Sequence, residues 1–199
     1  MTRTPDPIQE LVTAARRKQI LDAATQVFAE KGFHRATIKE IAQVAGIADG
    51  TIYTYFARKD EVLLAVLDRL NETTERPQQF VLKDEQDLKA FFHAYLQQRM
   101  ALLWPNAEVF RAVLPELLVN GALRKQYYEQ VLAPTIAVGE QFALAQSEPL
   151  QINVPLTIRA IAGTLLGLLL LQLLGDQEIA EQWEALPDVL TTLFFEQIV

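Results

Sequence analysis

The chain has 199 residues, half of them hydrophobic, with no Cys, two His and a formal charge of −7. That much apolar material supports a packed core, while the lack of Cys excludes disulfides, thiolate metal sites and cysteine nucleophiles. Two His with no carboxylates arranged around them argue against a metal, no cofactor is expected, and a reducing cytoplasm fits. The charge is unevenly spread: residues 1–60 carry nine Lys or Arg against seven Asp or Glu, and residues 61–199 carry nine against eighteen. A polyanion therefore has its best chance at the N-terminal end. The opening MTRTPDPIQE has no apolar stretch of the kind a secretory signal needs.

Helices are expected throughout, because long segments are rich in Ala, Leu, Glu and Gln and no strand alternation stands out. Residues 1–15 read as a flexible arm. Arg16 to Lys31 sets Ile20, Leu21, Ala24, Val27 and Phe28 on one helical face, and Gly32 stops it. Thr37 opens the next helix as the first half of a Thr-x-x-Glu capping box closed by Glu40. Ile38, Ile41, Ala42 and Ala45 form its buried stripe. Gly46 stands where a left-handed turn is cheapest, and a short helix follows from Ala48 to Phe56 with Ile52 and Phe56 four apart. Residues 38–57 thus read as helix, tight turn, helix, with a small residue (Ala42) where two crossing helices approach and Gly in the turn.

A fourth helix opens near Lys59, has Asp60 and Glu61 at the positive end of its dipole, and runs to about Thr74. Glu75 to Asp84, with Pro77, reads as a boundary. Further helices are expected over Asp87–Leu103, Ala107–Leu114, Pro115–Asn120 and Leu123 to about Ala145, the last bent at Pro134. Ser147 to Val154 reads as a loop, Pro155 opens a long helix to Gly175, and a final helix starts near Pro187. The run Ala160–Gly175 raises a membrane reading. It falls short of the roughly 20 apolar residues that span a bilayer, contains Gln172, and has Arg159 and Asp176 at its edges, so a helix buried in protein and no membrane partner is the preferred reading. The fold class is all-α: residues 16–74 form a helix-turn-helix domain and residues 75–199 a second helical domain.

The residues Arg17-x-x-Ile20-Leu21-x-Ala23-Ala24-x-x-x-Phe28, Lys31-Gly32-Phe33, Thr37-Ile38-x-x-Ile41-Ala42-x-x-Ala45-Gly46-Ile47 and Gly50-Thr51-Ile52-Tyr53-Thr54-Tyr55-Phe56-x-x-Lys59-Asp60-Glu61-Val62-Leu63 resemble the N-terminal domain of the TetR/AcrR family of transcriptional repressors. The likeness covers nearly all of residues 16–70. It implies that Ala48, Asp49, Gly50 and Thr54 approach base edges, that Tyr53, Tyr55 and Lys59 hold phosphates, and that Thr37 and Thr51 belong to the same DNA-binding set. Helical geometry agrees in part: with Ile52 and Phe56 inward, Gly50 and Thr54 point the other way. Each has a plainer reading. Both tyrosines can simply pack, Lys59 can be an exposed lysine, and Asp49 either accepts from a cytosine amino group or only favours the helix start. Arg16, Arg17 and Lys18 add non-specific attraction to the backbone or are merely solvated.

One such motif reads few base pairs, so a homodimer on a palindromic double-stranded DNA operator is expected. The resemblance puts its interface on the last two long helices, through Leu156, Gly163, Gly167, Leu170, Leu174, Leu190 and Phe194. The other reading makes them intrachain core. A small apolar or amphipathic effector, drug-like or acyl, is expected among the middle helices, with Phe91, Tyr95, Trp104, Phe110, Tyr127 and Phe142 as candidate contacts. Phe92 and Tyr128 are further aromatic candidates, and His93, Arg99 and Arg111 are candidates for a polar end, although exposure is the commoner fate of such side chains. The function that follows is a ligand-released cytoplasmic repressor. The alternative is a DNA-bound structural or cell-division adaptor of the same fold. No nucleophile elbow, phosphate loop or metal motif supports an enzyme.

Overall fold

A computed structural model describes residues 6–71, 88–144 and 152–195. Every regular element among these is helical. The expected boundary over Glu75–Asp84 lies outside the described residues, as does most of the loop expected before Val154.

The first helix, α1, spans Pro7–Arg35 and starts nine residues earlier than its apolar stripe suggests. The cause is local: the Asp6 carboxylate accepts from the Ile8 N–H at 3.1 Å and Pro7 sits at the first helical position. The arm is therefore helical from Pro7, although no side chain from Asp6 to Gln19 is buried. Gly32, at φ 75°, breaks the helix and turns Phe33 inward against Phe28, their rings 5.6 Å apart. Next come α2 (Ile38–Ala45), α3 (Asp49–Tyr55) and α4 (Lys59–Asn71). Then follow α5 (Leu88–Leu103), a 3-10 turn at Trp104–Asn106, α6 (Ala107–Val119) and α7 (Gly121–Tyr127). A π-turn at Tyr128–Leu132 leads into α8 (Ala133–Leu144), and α9 (Val154–Leu173), α10 (Gln177–Glu181) and α11 (Leu186–Phe195) complete the chain.

Three further segments add detail to the sequence expectation or differ from it. Pro115 does not divide Ala107–Asn120 into two helices but lies inside α6; a helix accepts the loss of one donor where packing holds both sides. The bend near Pro134 is a five-residue π-turn ending just before it, which widens the backbone where Pro134 brings no N–H. The short α10 and a 3-10 turn at Trp183–Ala185 occupy a segment read as a connection.

The chain divides into two compact units. One comprises residues 1–69 and 108–127, the other residues 70–107 and 128–199. This departs from a simple cut at residue 75, because α6 and α7 group with the N-terminal helices. The core of the first unit is built on Ile20, Phe28, Ile41, Ile52, Val62 and Leu63, all essentially inaccessible. Arg69, near the end of α4, ties back to α1 through Asp22 at 2.6 Å and the Thr25 hydroxyl at 2.9 Å. Burial opposes ionisation of the Asp22 carboxyl, but Lys18 and Arg69 outweigh it and hold its pKa below the ordinary value.

The second unit centres on Leu96, Val131 and Leu169. Gly139 lets α8 approach α9, since a Cβ there would meet the Ile158 side chain at 3.3 Å. Arg99, expected to be exposed, is buried and donates to the Leu70 carbonyl at 2.9 Å, closing the C-terminal end of α4. His93 faces Asp188 across 2.7 Å, and Arg111, on α6 of the first unit, pairs with Glu108 one turn earlier. All three candidates for orienting a polar ligand end thus have protein partners.

Candidate nucleic-acid interface

The helix-turn-helix is fixed at both joints by side chains. At the start of α2 the Glu40 N–H donates to the Thr37 hydroxyl at 3.2 Å, and the Thr37 N–H donates to the Glu40 carboxylate at 2.9 Å. Lys31 adds an ion pair to Glu40 at 2.7 Å. Together the Lys31 ammonium and then the Thr37 donors lower the Glu40 pKa to about 2. At the end of α2, Gly46 adopts φ 66°, and the Ile47 N–H donates back to the Ala42 carbonyl at 3.0 Å. The left-handed cap is therefore formed by the residue that tolerates it best. Gln19 on α1 donates to the Ala45 carbonyl and holds the same corner.

From this corner α3 projects with one face fully buried. Ile52 and Phe56 are 0% and 3% exposed, while Asp49, Gly50, Tyr53 and Thr54 face outward, and Thr51 and Tyr55 are half-buried. Tyr53 retains 56% exposure, a large value for a ring on a helix so well anchored. A Cβ built at Gly50 would meet nothing within 4 Å, so the protein itself does not require glycine there. Ala48 is the N-cap and offers no side-chain acceptor, which leaves the Asp49 carboxylate at the first helical position, exposed. Thr37 is exposed too, although its hydroxyl is engaged in the capping box.

The cations behave differently from the sequence expectation. Lys59 does not stand free: its ammonium donates to the carbonyls of Phe33, Ala36 and His34 at 2.7, 2.9 and 3.3 Å and lies 4.4 Å above the Phe33 ring. Burial lowers its pKa against the opposing pull of Asp60 and Glu116. Arg17 places its guanidinium 4.4 Å over the Phe56 ring and donates to the Tyr55 carbonyl at 3.3 Å, at the end of α3. Arg16 donates to Gln19, and Lys18 pairs with Asp22. Lys59 and Arg17 thus tie elements of the domain together, while Arg16 and Lys18 make local contacts on the surface of α1.

Glu116 on α6 was not signalled by the sequence. It is 5% exposed, accepts from Asn120 at 2.9 Å and has His34 Nε2 2.5 Å from its other oxygen. Only the folded chain brings a carboxylate 82 positions away against the turn that Lys59 closes; no local pattern announces it.

The candidate effector residues are divided between the two units. Phe91 and Phe142 stack with centroids 4.0 Å apart, and Tyr95 lies one turn beyond Phe91 on α5. Phe110 and Tyr127 belong to the other unit, Phe110 as buried core. Trp104 lines a separate groove. The candidate interface residues also divide. Leu156, Leu170 and Leu174 are 63%, 47% and 76% exposed, and Gly163 and Gly167 have open space above them. Leu190 is buried within the chain and Phe194 packs edge-on against Phe92 at 5.9 Å, so those two serve the subunit's own core.

A three-helix core with a capped turn and an outward-facing short helix defines a helix-turn-helix DNA-binding domain. Residues 20–66 match the family model for bacterial regulatory proteins of the tetR family. Within residues 20–66 the chain is similar to the N-terminal domain of that family. It is 39% identical over 85 residues to a fatty acid metabolism regulator protein of Bacillus subtilis, an alignment covering 43% of this chain and 40% of that protein. It is 41% identical over 71 residues to the regulator TtgR of Pseudomonas putida, covering 36% and 31%. The aligned part therefore spans well under half the length of these relatives, and they are regulators of transcription, not enzymes. Among solved structures, FadR from Bacillus subtilis in complex with stearoyl-CoA superposes with a TM-score of 0.71 at 26% identity, over 88% of this chain and 97% of that one. FadR from Bacillus halodurans gives 0.72 at 24%, over 95% and 97%. The fold is shared along nearly the full length.

Proposed function

We propose that the protein is a cytoplasmic, dimeric transcriptional repressor that reads a palindromic operator with α3 and is released by an acyl effector. The observation that carries the DNA-reading part is the outward face of α3. Asp49, Gly50, Tyr53 and Thr54 are left uncovered on a helix whose opposite side is anchored by Ile52 and Phe56. Small and polar groups suit base edges, and Gly50 lets backbone come close. The Tyr53 and Tyr55 hydroxyls reach for phosphates. Lys39, exposed on α2, has no ion-pair partner among the described residues and joins them as a phosphate contact. Lys59 contributes by closing the turn before α2 rather than by touching phosphate.

Dimerisation through α9 is supported by its uncovered leucines. This 20-residue helix is long and apolar enough to cross a membrane, yet Val154, Leu165 and Leu169 are its only residues buried within the chain. A second copy of the same face, closing over Gly163 and Gly167, satisfies that surface and provides the two half-site readers that a palindrome needs. The acyl effector is supported by the full-length likeness to a FadR in complex with stearoyl-CoA, and Phe91, Tyr95 and Phe142 supply apolar surface for an alkyl chain.

Two measurements test this reading. Genome-wide occupancy mapping should find a few sites, one beside the protein's own gene; hundreds of scattered sites would favour a DNA-bound adaptor. Fluorescence anisotropy on the upstream fragment should then show release by long-chain acyl-CoA and none by free coenzyme A. Tight binding that no acyl thioester disturbs would remove the effector assignment while leaving the repressor.

A further inference from the structure

The second unit holds a groove of about 480 Å³, within the range of small-molecule sites, between the C-terminal end of α5 and the segment around α10. From the α5 side it is lined by Met100, Trp104 and Pro105, and from the other by Glu181, Trp183 and Glu184. Trp183 is 6% exposed and its indole N–H donates to the Met100 carbonyl at 3.0 Å, which fixes the ring as a floor. Trp104 is 39% exposed and stands 5.2 Å from Trp183 at 45°, forming an open aromatic corner. Glu181 and Glu184 are both exposed, and neither has an ion-pair partner among the described residues. No Lys or Arg lines the groove.

Two indole faces with negative quadrupole, a thioether and two unpaired carboxylates make a consistent preference. A cation gains from the rings and from both carboxylates, whereas an anion is repelled by them, and an apolar substituent covers Trp104, Met100 and Pro105. The surrounding field agrees, since residues 61–199 carry twice as many acidic as basic side chains. We propose that this groove binds small organic cations that bear an aromatic or alkyl group, such as quaternary ammonium compounds. The site is distinct from the acyl effector reading and does not rest on it: an acyl-CoA is polyanionic, and Phe91, Tyr95 and Phe142 take no part in the groove.

Both tryptophans of the chain line this groove, so the intrinsic emission of the whole protein reports on it. Purified protein is titrated with benzyltrimethylammonium, and with phenylmethanesulfonate as an anion of similar size. The expected result is a saturable change in tryptophan emission with the cation and none with the sulfonate. The double variant Glu181→Gln/Glu184→Gln should weaken the cation about tenfold or more, and because both side chains are exposed it should fold normally. Trp104→Phe should retain binding and Trp104→Ala should lose it. A non-saturable response, equal affinity for the sulfonate, or undiminished affinity in the double Gln variant would overturn the proposal.

Discussion

Two helices of this molecule present surfaces that the rest of the chain leaves uncovered, and their chemistry is opposite. α3 exposes Asp49, Gly50, Tyr53 and Thr54; α9 and the residue after it expose Leu156, Leu166, Leu170, Leu171 and Leu174. An exposed polar face costs nothing in water, so α3 is stable as it stands and can wait for a hydrated polyanion. A leucine face is unfavourable in water by roughly 25 cal/mol per Å² of apolar surface, so a lasting cover over α9 would stabilise it. The first surface suits a partner that comes and goes, the second one that stays.

The sharpest way to break this contrast is to charge the leucine face. Leu166→Asp/Leu170→Asp should yield a folded monomer in sedimentation velocity, because both side chains are about half exposed in the subunit. Its operator affinity should fall by about a thousandfold, since one half-site reader remains. If the variant stays dimeric, α9 is not the interface.

Lys59→Met should lower stability by about 1–3 kcal/mol through the loss of charge-assisted bonds to three carbonyls, read by urea unfolding. The salt dependence of DNA binding should keep its slope, because the ammonium faces protein. A shallower slope would return Lys59 to the phosphate contacts.

Gly50→Ala separates folding from recognition. A Cβ there meets nothing in the protein, so stability should rise by about 0.5–1 kcal/mol from helix propensity, while operator binding should weaken about tenfold. Unchanged affinity would mean that no DNA backbone or base approaches that point.

The smallest effect concerns acid. The folded pKa of Glu40, about 2, lies below its ordinary value of 4.5. Its contribution to stability is therefore present above pH 4.5 and is lost as pH falls towards 2. Glu40→Gln should flatten the acid side of the stability profile; an unchanged profile would deny the Lys31 and Thr37 contacts that role.

How much of this was legible in sequence follows from how local each cause is. Thr37, Glu40, Gly46, Ile52 and Phe56 act within a turn or two of themselves, so capping, turn and buried face could be read directly. Lys59 could not, because its partners lie 23 to 26 residues away and its spacing suits either role. Leu190 and Leu170 look alike as a string of apolar residues; only packing shows that one is covered by its own subunit and the other is not. The early start of α1 at Pro7 was written in the Asp6-Pro7 cap, but the lack of any buried residue from Asp6 to Gln19 hid it. Glu116 beside His34 and the two tryptophans of the groove are products of tertiary approach alone.

On the proposed reading, α3 contacts DNA from a symmetric pair of subunits. Selection of bound sequences from random duplex DNA with the purified protein tests it most directly. The expected result is an inverted repeat whose half-site centres lie one or more helical turns apart, with the preferred base shifting at one position per half-site in Asp49→Asn and Thr54→Ala. A flat enrichment profile, or a single unrepeated half-site, would contradict it.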